Sequence, residues 1–340
     1  MNYLITGGSG YLGSELIKTL DSENNNIINI DIIPSENQNS KNYNIDILDE
    51  KSVEEIFKNN KIDCIIHNLA KVPLAKNKKI FKKVNIKATE IILKFFNKFK
   101  IKKLIFISSS AVYGVPLHSP ITESTAREPA EPYGESKKIS EDLCFDEIKK
   151  GKNIIILRPR TIIGLNRFGI FSILFDWIKN DLPIPVFSNG LNFYQFVDIR
   201  DLSEAVKLSS VSDYTGAINI GSSDVKRIIE ILNFLKTKFN SKSKIKNVDN
   251  SIIIKIGFIF QKLGLIPLHD YHFKVYGKDV YFDIEHSNKV LNWKPKYSTF
   301  NSFEDSYNHF LKEDKKDEKN KSLHQKKIKN FLMKYVTLIL

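Results

Sequence analysis

Short apolar runs alternate, along the first half of the chain, with stretches in which apolar residues recur every three or four positions. The apolar runs predict β-strands at Tyr3 to Thr6, Ile27 to Ile30, Cys64 to Ile66, Leu104 to Ile107 and Ile154 to Leu157. The stretches between them predict helices at Leu12 to Leu20, Val53 to Asn59, Ile86 to Phe99 and Ser136 to Lys149. Nearly continuous apolar strands joined by helices are typical of a parallel sheet covered on both faces. The pattern therefore predicts an α/β fold with a doubly wound parallel sheet.

The pattern changes after Pro159, where closely spaced glycine and proline residues replace the regular alternation. We therefore expect residues 1–160 to form the sheet domain, with residues 191–221 returning to it. Residues 161–190 and 222–310 are expected to form a smaller, irregular α+β region that binds the substrate, because irregular segments over a rigid sheet often carry binding sites.

The end of the chain, residues 311–340, has a third pattern. Its first half is rich in charged residues and predicts a solvated linker. From Ile328 onward, apolar residues recur at helical spacing between lysines, which predicts a basic amphipathic helix. We expect this helix, residues 328–340, either to lie peripherally on an anionic membrane surface or to dock into a protein groove, and a disordered end is the third alternative.

Composition narrows the class of protein. Among 340 residues, 42% are hydrophobic and 27% are charged, which excludes a disordered chain, a collagen-like fibre and a polytopic membrane protein. Lysine and arginine outnumber aspartate and glutamate by 52 to 39, for a net charge of +13. Such charge suits an anionic substrate, an anionic membrane or nucleic acid. A nucleic-acid role rests on charge alone, because no aromatic-basic motif accompanies it, and we expect none.

Two cysteines, Cys64 and Cys144, provide neither a disulfide framework nor a Cys-x-x-Cys metal site, which fits a reducing compartment. The N-terminus lacks the basic and apolar segments of a signal peptide. We expect a cytoplasmic protein without a metal ion.

A glycine-rich turn follows the first predicted strand and leads directly into a helix. Gly7 permits the tight turn, Gly10 lets backbone N–H groups approach a pyrophosphate, and Gly13 allows the helix and strand to pack closely. The second strand ends in Asp31, which is placed to bind ribose hydroxyls and to repel a 2′-phosphate, so NAD is favoured over NADP. Asp46, after another apolar run, either meets the adenine edge or serves as a turn or cap residue.

The chemistry-bearing residues follow the predicted strand Leu104 to Ile107, which ends in Ser108-Ser109-Ser110. Tyr133 and Lys137 lie four positions apart at the start of the next helical stretch, so both project from one helix face. A nearby ammonium group favours the phenolate and lowers the pKa of a tyrosine. A serine hydroxyl could hold the substrate oxygen while the phenolate takes its proton and hydride leaves to the nicotinamide.

With these residues in place, the sequence resembles the extended short-chain dehydrogenase/reductase superfamily, in particular the NAD-dependent epimerase/dehydratase family. The matching motifs, in the family's order and spacing, are Thr6 to Gly13, Ser108 to Gly114, Tyr133 to Lys137, Arg158-Pro159 and Asn292 to Pro295. The resemblance implies a Rossmann domain that binds NAD. It also implies that Ser109 is the catalytic hydroxyl, that Tyr133 is the acid/base, and that Lys137 binds the nicotinamide ribose and tunes Tyr133.

The glycine turn and the resemblance together assign NAD binding to a larger set of residues. The set is Gly7, Gly10, Tyr11, Leu12, Gly13, Asp31, Asp46, Ile47, Asn68, Leu69, Ala70, Asn85, Ser108, Tyr133 and Lys137.

Departures from the family pattern bear on the substrate. Ser110 and Ala111 stand where family dehydratases carry an Asp-Glu pair, which disfavours dehydration. Thr161 and Tyr194 stand where nucleotide-sugar epimerases usually carry Asn and Arg, so the substrate is expected to differ from a standard UDP-sugar. The guanidinium groups of Arg158, Arg160 and Arg167 either bind a substrate phosphate or pair with carboxylates. The expected substrate-binding residues are Ser110, Arg160, Thr161, Arg167 and Tyr194.

Two enzyme classes fit these residues. The leading hypothesis is a sugar epimerase that oxidises a ring hydroxyl with NAD and re-reduces the ketone, acting on a nucleotide- or lipid-linked sugar. The alternative is an oxidoreductase like 3β-hydroxysteroid dehydrogenase, acting on an apolar secondary alcohol, to which residues 158–164 are also similar. An NAD-binding regulator without activity is disfavoured by the intact set of Ser109, Tyr133 and Lys137. The many apolar residues of Ile86 to Phe99 and the resemblance predict a homodimer formed through this helix and the one that bears Tyr133.

Overall fold

The computed structural model describes residues 1–71, 81–248, 275–312 and 324–325, apart from single positions 22, 24, 36 and 276. The strands are β1 (Asn2–Thr6), β2 (Asn26–Asp31), β3 (Lys41–Asn44), β4 (Cys64–His67), β5 (Lys103–Ile107), β6 (Ile154–Pro159), β7 (Thr161–Ile163), β8 (Ile184–Val186), β9 (Phe193–Tyr194), β10 (Phe196–Asp198), β11 (Gly216–Ile220), β12 (Lys226–Arg227) and β13 (Ile245–Asn247). The helices are α1 (Tyr11–Asp21), α2 (Glu50–Asn59), α3 (Lys87–Lys98), α4 (Pro132–Lys149), α5 (Phe171–Lys179), α6 (Ile199–Val211), α7 (Ile228–Lys238), α8 (Glu285–Leu291) and α9 (Thr299–Lys312).

A parallel sheet organises the described part of the chain. Its strand order is β11-β6-β5-β4-β1-β2-β3, and every neighbouring pair is parallel. The strand order reverses between β1 and β4, the point at which doubly wound sheets bind ligands at the carboxyl ends of their strands. The predicted doubly wound fold is confirmed.

Both faces of the sheet are covered, which explains why its strands are apolar without alternation. Within β1, Leu4 faces a cluster formed with α2, α3 and α4, whereas Ile5 faces a cluster formed with α1 and α6. Both side chains are fully buried. A strand that is buried on its two faces needs an apolar residue at every position.

A second core lies beside the sheet and is built from α5, α7 and α9. Large aromatic side chains dominate it, including Phe175, Trp177, Phe303 and Tyr307. Short strands β8 and β13 pair in parallel at its edge. Residues 216–220 of the later chain instead return to the sheet as β11, which pairs with β6.

The predicted helix Ile86 to Phe99 has a different start and different neighbours from those expected. A π-helical turn spans Lys82–Ile86, and α3 begins only at Lys87. Its apolar residues are buried inside the same chain: Phe95 and Phe99 pack on Phe57 of α2, with ring centroids 5.3 and 5.5 Å apart. α2 therefore covers part of the apolar surface that suggested a dimer, and the dimer stays a prediction.

The predicted amphipathic helix at residues 328–340 lies outside the described residues. No helix within the described ranges is long and apolar enough to span a membrane.

Candidate active site

The glycine turn joins β1 to α1 at the carboxyl edge of the sheet. A methyl group on Gly13 would lie 2.1 Å from the carbonyl oxygen of Gly7, so the helix can approach the strand only because residue 13 has no side chain. Gly7 adopts a positive φ of 75°. Among the described residues, a methyl group on Gly10 would contact only the carbonyl oxygen of Gly7, at 3.3 Å. The space beside Gly10 is therefore open to a ligand, as a pyrophosphate at this helix N-terminus requires.

Side chains from β2 hold the turn in place. The backbone N–H of Ser9 donates to the carboxylate of Asp31 at 3.1 Å, and that of Gly8 donates to the amide oxygen of Asn29 at 2.9 Å. Burial raises the pKa of Asp31, while bonds from backbone N–H groups oppose this rise. Asp31 thus lies directly beside the turn, and Asn29 is a supporting residue that the sequence motif did not reveal.

The segment after β4 lies against the same turn. The amide nitrogen of Asn68 donates to the carbonyl oxygen of Gly7 at 3.1 Å, and the N–H of Leu69 donates to the Thr6 hydroxyl at 3.3 Å. Ala70 follows and is partly buried. Asn85 joins this segment to α4, because it accepts from the N–H of Lys71 at 2.8 Å and donates to the Ser136 hydroxyl at 3.0 Å.

Asp46 and Ile47 lie beyond β3. Asp46 is exposed, and its carboxylate accepts from the N–H of Leu48 at 3.0 Å, whereas Ile47 is buried. Of the two roles expected for Asp46, an adenine contact or a turn residue, this hydrogen bond fits the turn residue.

Ser109, Tyr133 and Lys137 meet where β5 ends. The side chain of Glu131 caps α4 by accepting from the N–H groups of Tyr133 and Gly134, at 3.2 Å each. The side chain of Ser109 lies close enough to the Tyr133 phenol to lower its pKa. The ammonium group of Lys137, one helical turn later, donates to the carbonyl oxygen of Ile107 at 2.7 Å. The predicted trio therefore lies in one place.

Burial sets the protonation of this trio. Burial raises the pKa of Tyr133 above its ordinary value, and the side chain of Ser109 only partly opposes this rise. Burial lowers the pKa of Lys137 to about 8, opposed by the nearby carboxylate of Glu141. In this cofactor-free arrangement desolvation dominates and the carboxylate of Glu131 adds to the rise, so the effect of Lys137 on the pKa of Tyr133 stays a prediction for the filled site.

A buried ion pair between Glu141 and Arg158 lies next to Ser109, Tyr133 and Lys137. The carboxylate of Glu141 on α4 accepts two bonds from Arg158 on β6, at 2.9 and 2.7 Å, and one from the hydroxyl of Ser108, at 2.5 Å. Arg158 also donates to the Tyr113 hydroxyl at 2.7 Å. Of the two roles expected for Arg158, phosphate binding or pairing with a carboxylate, these bonds fit pairing with a carboxylate. Sequence reasoning missed Glu141, whose only sequence signal is an acid on the predicted buried face of α4.

The expected substrate residues form a second group beside Ser109. The guanidinium group of Arg160 donates to the Ser110 hydroxyl at 3.1 Å and lies 4.7 Å from the ring centroid of Tyr194. The hydroxyl groups of Thr161 and Tyr194 hydrogen-bond to each other at 2.9 Å. Four of the five expected residues are therefore connected.

Arg167, the fifth, lies against the glycine turn instead. Its guanidinium carbon is 5.4 Å from the ring centroid of Tyr11, and its Nε donates to the carbonyl oxygen of Ile162 at 3.1 Å. Burial lowers its pKa to about 10. His324, a residue that the sequence did not indicate, lies on the same tyrosine, with ring centroids 6.4 Å apart. The Tyr11 hydroxyl, a terminal nitrogen of Arg167 and Nδ1 of His324 are all buried without a hydrogen-bond partner among the described residues.

The sequence of this chain matches the model of a known protein family. The model of the NAD dependent epimerase/dehydratase family matches residues 3–221. The chain belongs to this family. Its members are NAD-dependent enzymes, so the predicted enzymatic role and the NAD cofactor are confirmed.

Relatives within the family agree with this membership. The chain is 36% identical over 308 residues to an uncharacterised protein of Sinorhizobium fredii, with 90% of this chain and 77% of that protein covered. It is 28% identical over 267 residues to the UDP-glucose 4-epimerase of Lactobacillus helveticus, with 69% and 81% covered. These family relatives support the epimerase hypothesis over the steroid dehydrogenase alternative.

A solved structure shows the same fold. The UDP-glucose 4-epimerase of Thermotoga maritima superposes with a TM-score of 0.77 at 22% identity, and the match covers 92% of this chain and 99% of that one.

Proposed function

We propose that this family member epimerises a sugar carried on a nucleotide or a lipid, by oxidising one ring hydroxyl and reducing the resulting ketone from the other face. The observation that carries the proposal is the proximity of the Ser109 side chain to the Tyr133 phenol, one helical turn from Lys137 and on the sheet edge that bears the glycine turn. A phenol and a serine hydroxyl that lie together are the groups needed to hold and deprotonate an alcohol.

The residues of the turn fit NAD. Gly7, Gly10 and Gly13 leave room for backbone N–H groups of Tyr11 and Leu12 to reach the pyrophosphate, because first-turn N–H groups of a helix have no partner within it. Asp31, beside Ser9, is assigned to the ribose hydroxyls. NAD held by these residues would supply the acceptor and donor of hydride.

The remaining cofactor contacts follow from position. We assign Asn68, Leu69 and Ala70, together with Asn85, to the side of the cofactor that lies over β4. Arg167 is reassigned from the substrate to the cofactor phosphates, since it lies on Tyr11 and keeps a buried donor without a partner among the described residues.

The protein's own groups move the proton. Ser109 holds the oxygen of the reacting hydroxyl, and Tyr133 takes its proton as hydride leaves the same carbon. Lys137 is held by Ile107 and binds the nicotinamide ribose, so its positive charge favours the phenolate when the site is filled. Tyr133 then returns the proton when hydride comes back to the opposite face of the ketone.

The assembly and the location of the enzyme are part of the same proposal. We infer a cytoplasmic homodimer that pairs through α3 and α4, as the resemblance implies, and light scattering at micromolar concentration tests it.

Residues 328–340 are proposed to bind an anionic membrane surface, which would favour a lipid-linked sugar. Flotation with anionic liposomes tests this second point, because binding should fall with added salt.

The function is tested by product analysis. Purified protein is incubated with NAD and a panel of nucleotide-linked and lipid-linked sugars. The products are separated by chromatography that resolves epimers. Tyr297, whose ring stacks on Arg200, provides the control. Conversion of one sugar to its epimer, abolished by Tyr133→Phe and retained by Tyr297→Phe, supports the proposal. Release of a ketone or consumption of stoichiometric NAD would instead indicate a dehydrogenase.

A further inference from the structure

Arg160 is a buried cation beside the candidate catalytic serine. Its side chain is only 2% exposed. The guanidinium carbon lies 4.7 Å from the ring centroid of Tyr194 and 5.4 Å from that of Phe282, so aromatic rings replace water around it. Such stacking stabilises a guanidinium group but does not neutralise its charge.

The hydrogen bonds of Arg160 go to neutral groups. One terminal nitrogen donates to the Ser110 hydroxyl at 3.1 Å, and the other donates to the carbonyl oxygen of Val280 at 3.2 Å. The Nε–H group has no partner among the described residues. No aspartate or glutamate in the described ranges forms an ion pair with Arg160, in contrast to Arg158, which lies two residues earlier and holds Glu141 at 2.7 Å.

A buried guanidinium without a carboxylate is costly, because arginine keeps its proton and desolvation removes its hydration. An anionic group supplied by a ligand would remove this cost. The same side chain is therefore expected to be stabilised by ligand binding.

The position of Arg160 indicates where that ligand lies. Ser110 directly follows Ser109, and consecutive Cα atoms are about 3.8 Å apart. An anion that contacts both Ser110 and Arg160 is thus close to the hydroxyl that Ser109 and Tyr133 hold. We propose that Arg160 binds an anionic oxygen group of the sugar substrate, either a carboxylate on the ring or the phosphate that links the sugar to its carrier. This inference rests on the proposed function, and it makes an acidic sugar the preferred substrate class if the ring carries the charge.

Binding measurements test the proposal without relying on turnover. Calorimetric titrations use the NAD-loaded Tyr133→Phe protein, with UDP-glucuronate and UDP-glucose as probes that share the diphosphate and differ in the ring carboxylate. Arg160→Met is added to this background, and Arg227→Met is the matched control, because Arg227 lies 5.0 Å from the ring centroid of Phe193 but is exposed. Arg160→Lys, which retains the charge, shows whether a folded variant recovers binding.

A hydrogen-bonded charge pair predicts that Arg160→Met weakens binding by about 10-fold or more. A loss confined to UDP-glucuronate identifies the ring carboxylate, and an equal loss for both probes identifies the linking phosphate. Partial recovery in Arg160→Lys supports a role for the charge. Unchanged affinities in Arg160→Met, or no binding of either probe to the parent protein, would overturn the proposal. If a probe binds the active protein but no epimer forms, the proposed epimerase function fails and the binding role of Arg160 still stands.

Discussion

The ammonium nitrogen of Lys137 lies 2.7 Å from the carbonyl oxygen of Ile107, the last residue of β5. This bond ties the second turn of α4 to the carboxyl edge of the sheet. It also buries a positive charge beside the ring of Phe106, 4.8 Å from its centroid. The consequence is a lysine whose pKa burial lowers to about 8.

The contribution of Lys137 to the stability of the cofactor-free protein should therefore rise with pH. Between pH 8 and 10.5, Lys137 is neutral in the folded chain and protonated in the unfolded chain, so the unfolded state binds more protons and the free energy of unfolding increases. At 1.36 kcal/mol per pKa unit, the gain is about 3 kcal/mol. Urea unfolding at pH 7, 9 and 10.5 measures it.

Lys137→Met isolates this effect from other titrating groups. The difference in unfolding free energy between the parent protein and Lys137→Met should change by a similar amount, about 3 kcal/mol, across this pH window. A difference that is constant from pH 7 to 10.5 would show that the folded lysine titrates normally.

Replacing Tyr133 with phenylalanine should abolish turnover while leaving the fold and NAD binding intact. The hydroxyl is the only group removed, and general acid–base groups contribute roughly 10² to 10⁴-fold to rate. Initial rates of epimer formation measure the loss, and fluorescence titration checks NAD affinity. Turnover within a few-fold of the parent protein would rule out Tyr133 as the acid/base.

The parts of the site that the sequence predicted are those set by local geometry. A strand, a glycine turn and a helix follow one another directly from Thr6 to Gly13, so their spacing alone determines the turn. Tyr133 and Lys137 are likewise one helical turn apart on α4. Continuous apolar runs predicted the sheet because strands buried on both faces admit few polar residues.

The parts that the sequence did not predict depend on contacts between distant segments. Glu141 acquires its role only when α4 packs beside β6 and meets Arg158. The reassignment of Arg167 likewise depends on a loop crossing to Tyr11. The position of Phe57 against α3 also could not be predicted from the sequence of that helix alone.

Glu141→Gln should destabilise the protein strongly. The substitution leaves the buried Arg158 without a charge partner, and breaking a buried pair costs about 3–5 kcal/mol. The double variant Glu141→Gln, Arg158→Met removes the unpaired charge and should recover part of this loss. Chemical denaturation of Glu141→Gln, Arg158→Met and the double variant, compared with the parent protein in a double-mutant cycle, measures the coupling, and additive effects would contradict a direct ion pair.

Asp31→Ala should reduce the preference for NAD over NADP. The carboxylate is expected to accept bonds from the ribose hydroxyls and to repel a 2′-phosphate, so its loss weakens NAD and relieves the repulsion of NADP. Titration of both cofactors against the parent protein and the variant measures the ratio of the two dissociation constants. Tighter binding of NADP than NAD by the parent protein would remove the basis of this assignment.

Gly10→Ala and Gly13→Ala should have opposite effects on fold and cofactor binding, although the two glycines lie on one turn. A methyl group at position 13 would be 2.1 Å from the Gly7 carbonyl oxygen and 2.5 Å from the Gly8 Cα, so backbone must move and overpacking should cost ~3 kcal/mol or more. Within the described part of the chain, a methyl group at position 10 meets only one carbonyl oxygen, at 3.3 Å, so the fold should tolerate it within ~1 kcal/mol. That methyl group would instead occupy the open space assigned to the pyrophosphate and weaken NAD binding by ~10-fold or more. Urea unfolding and NAD titration of both variants separate the two effects, and normal NAD affinity in a stably folded Gly10→Ala protein would mean that the pyrophosphate does not lie on this turn.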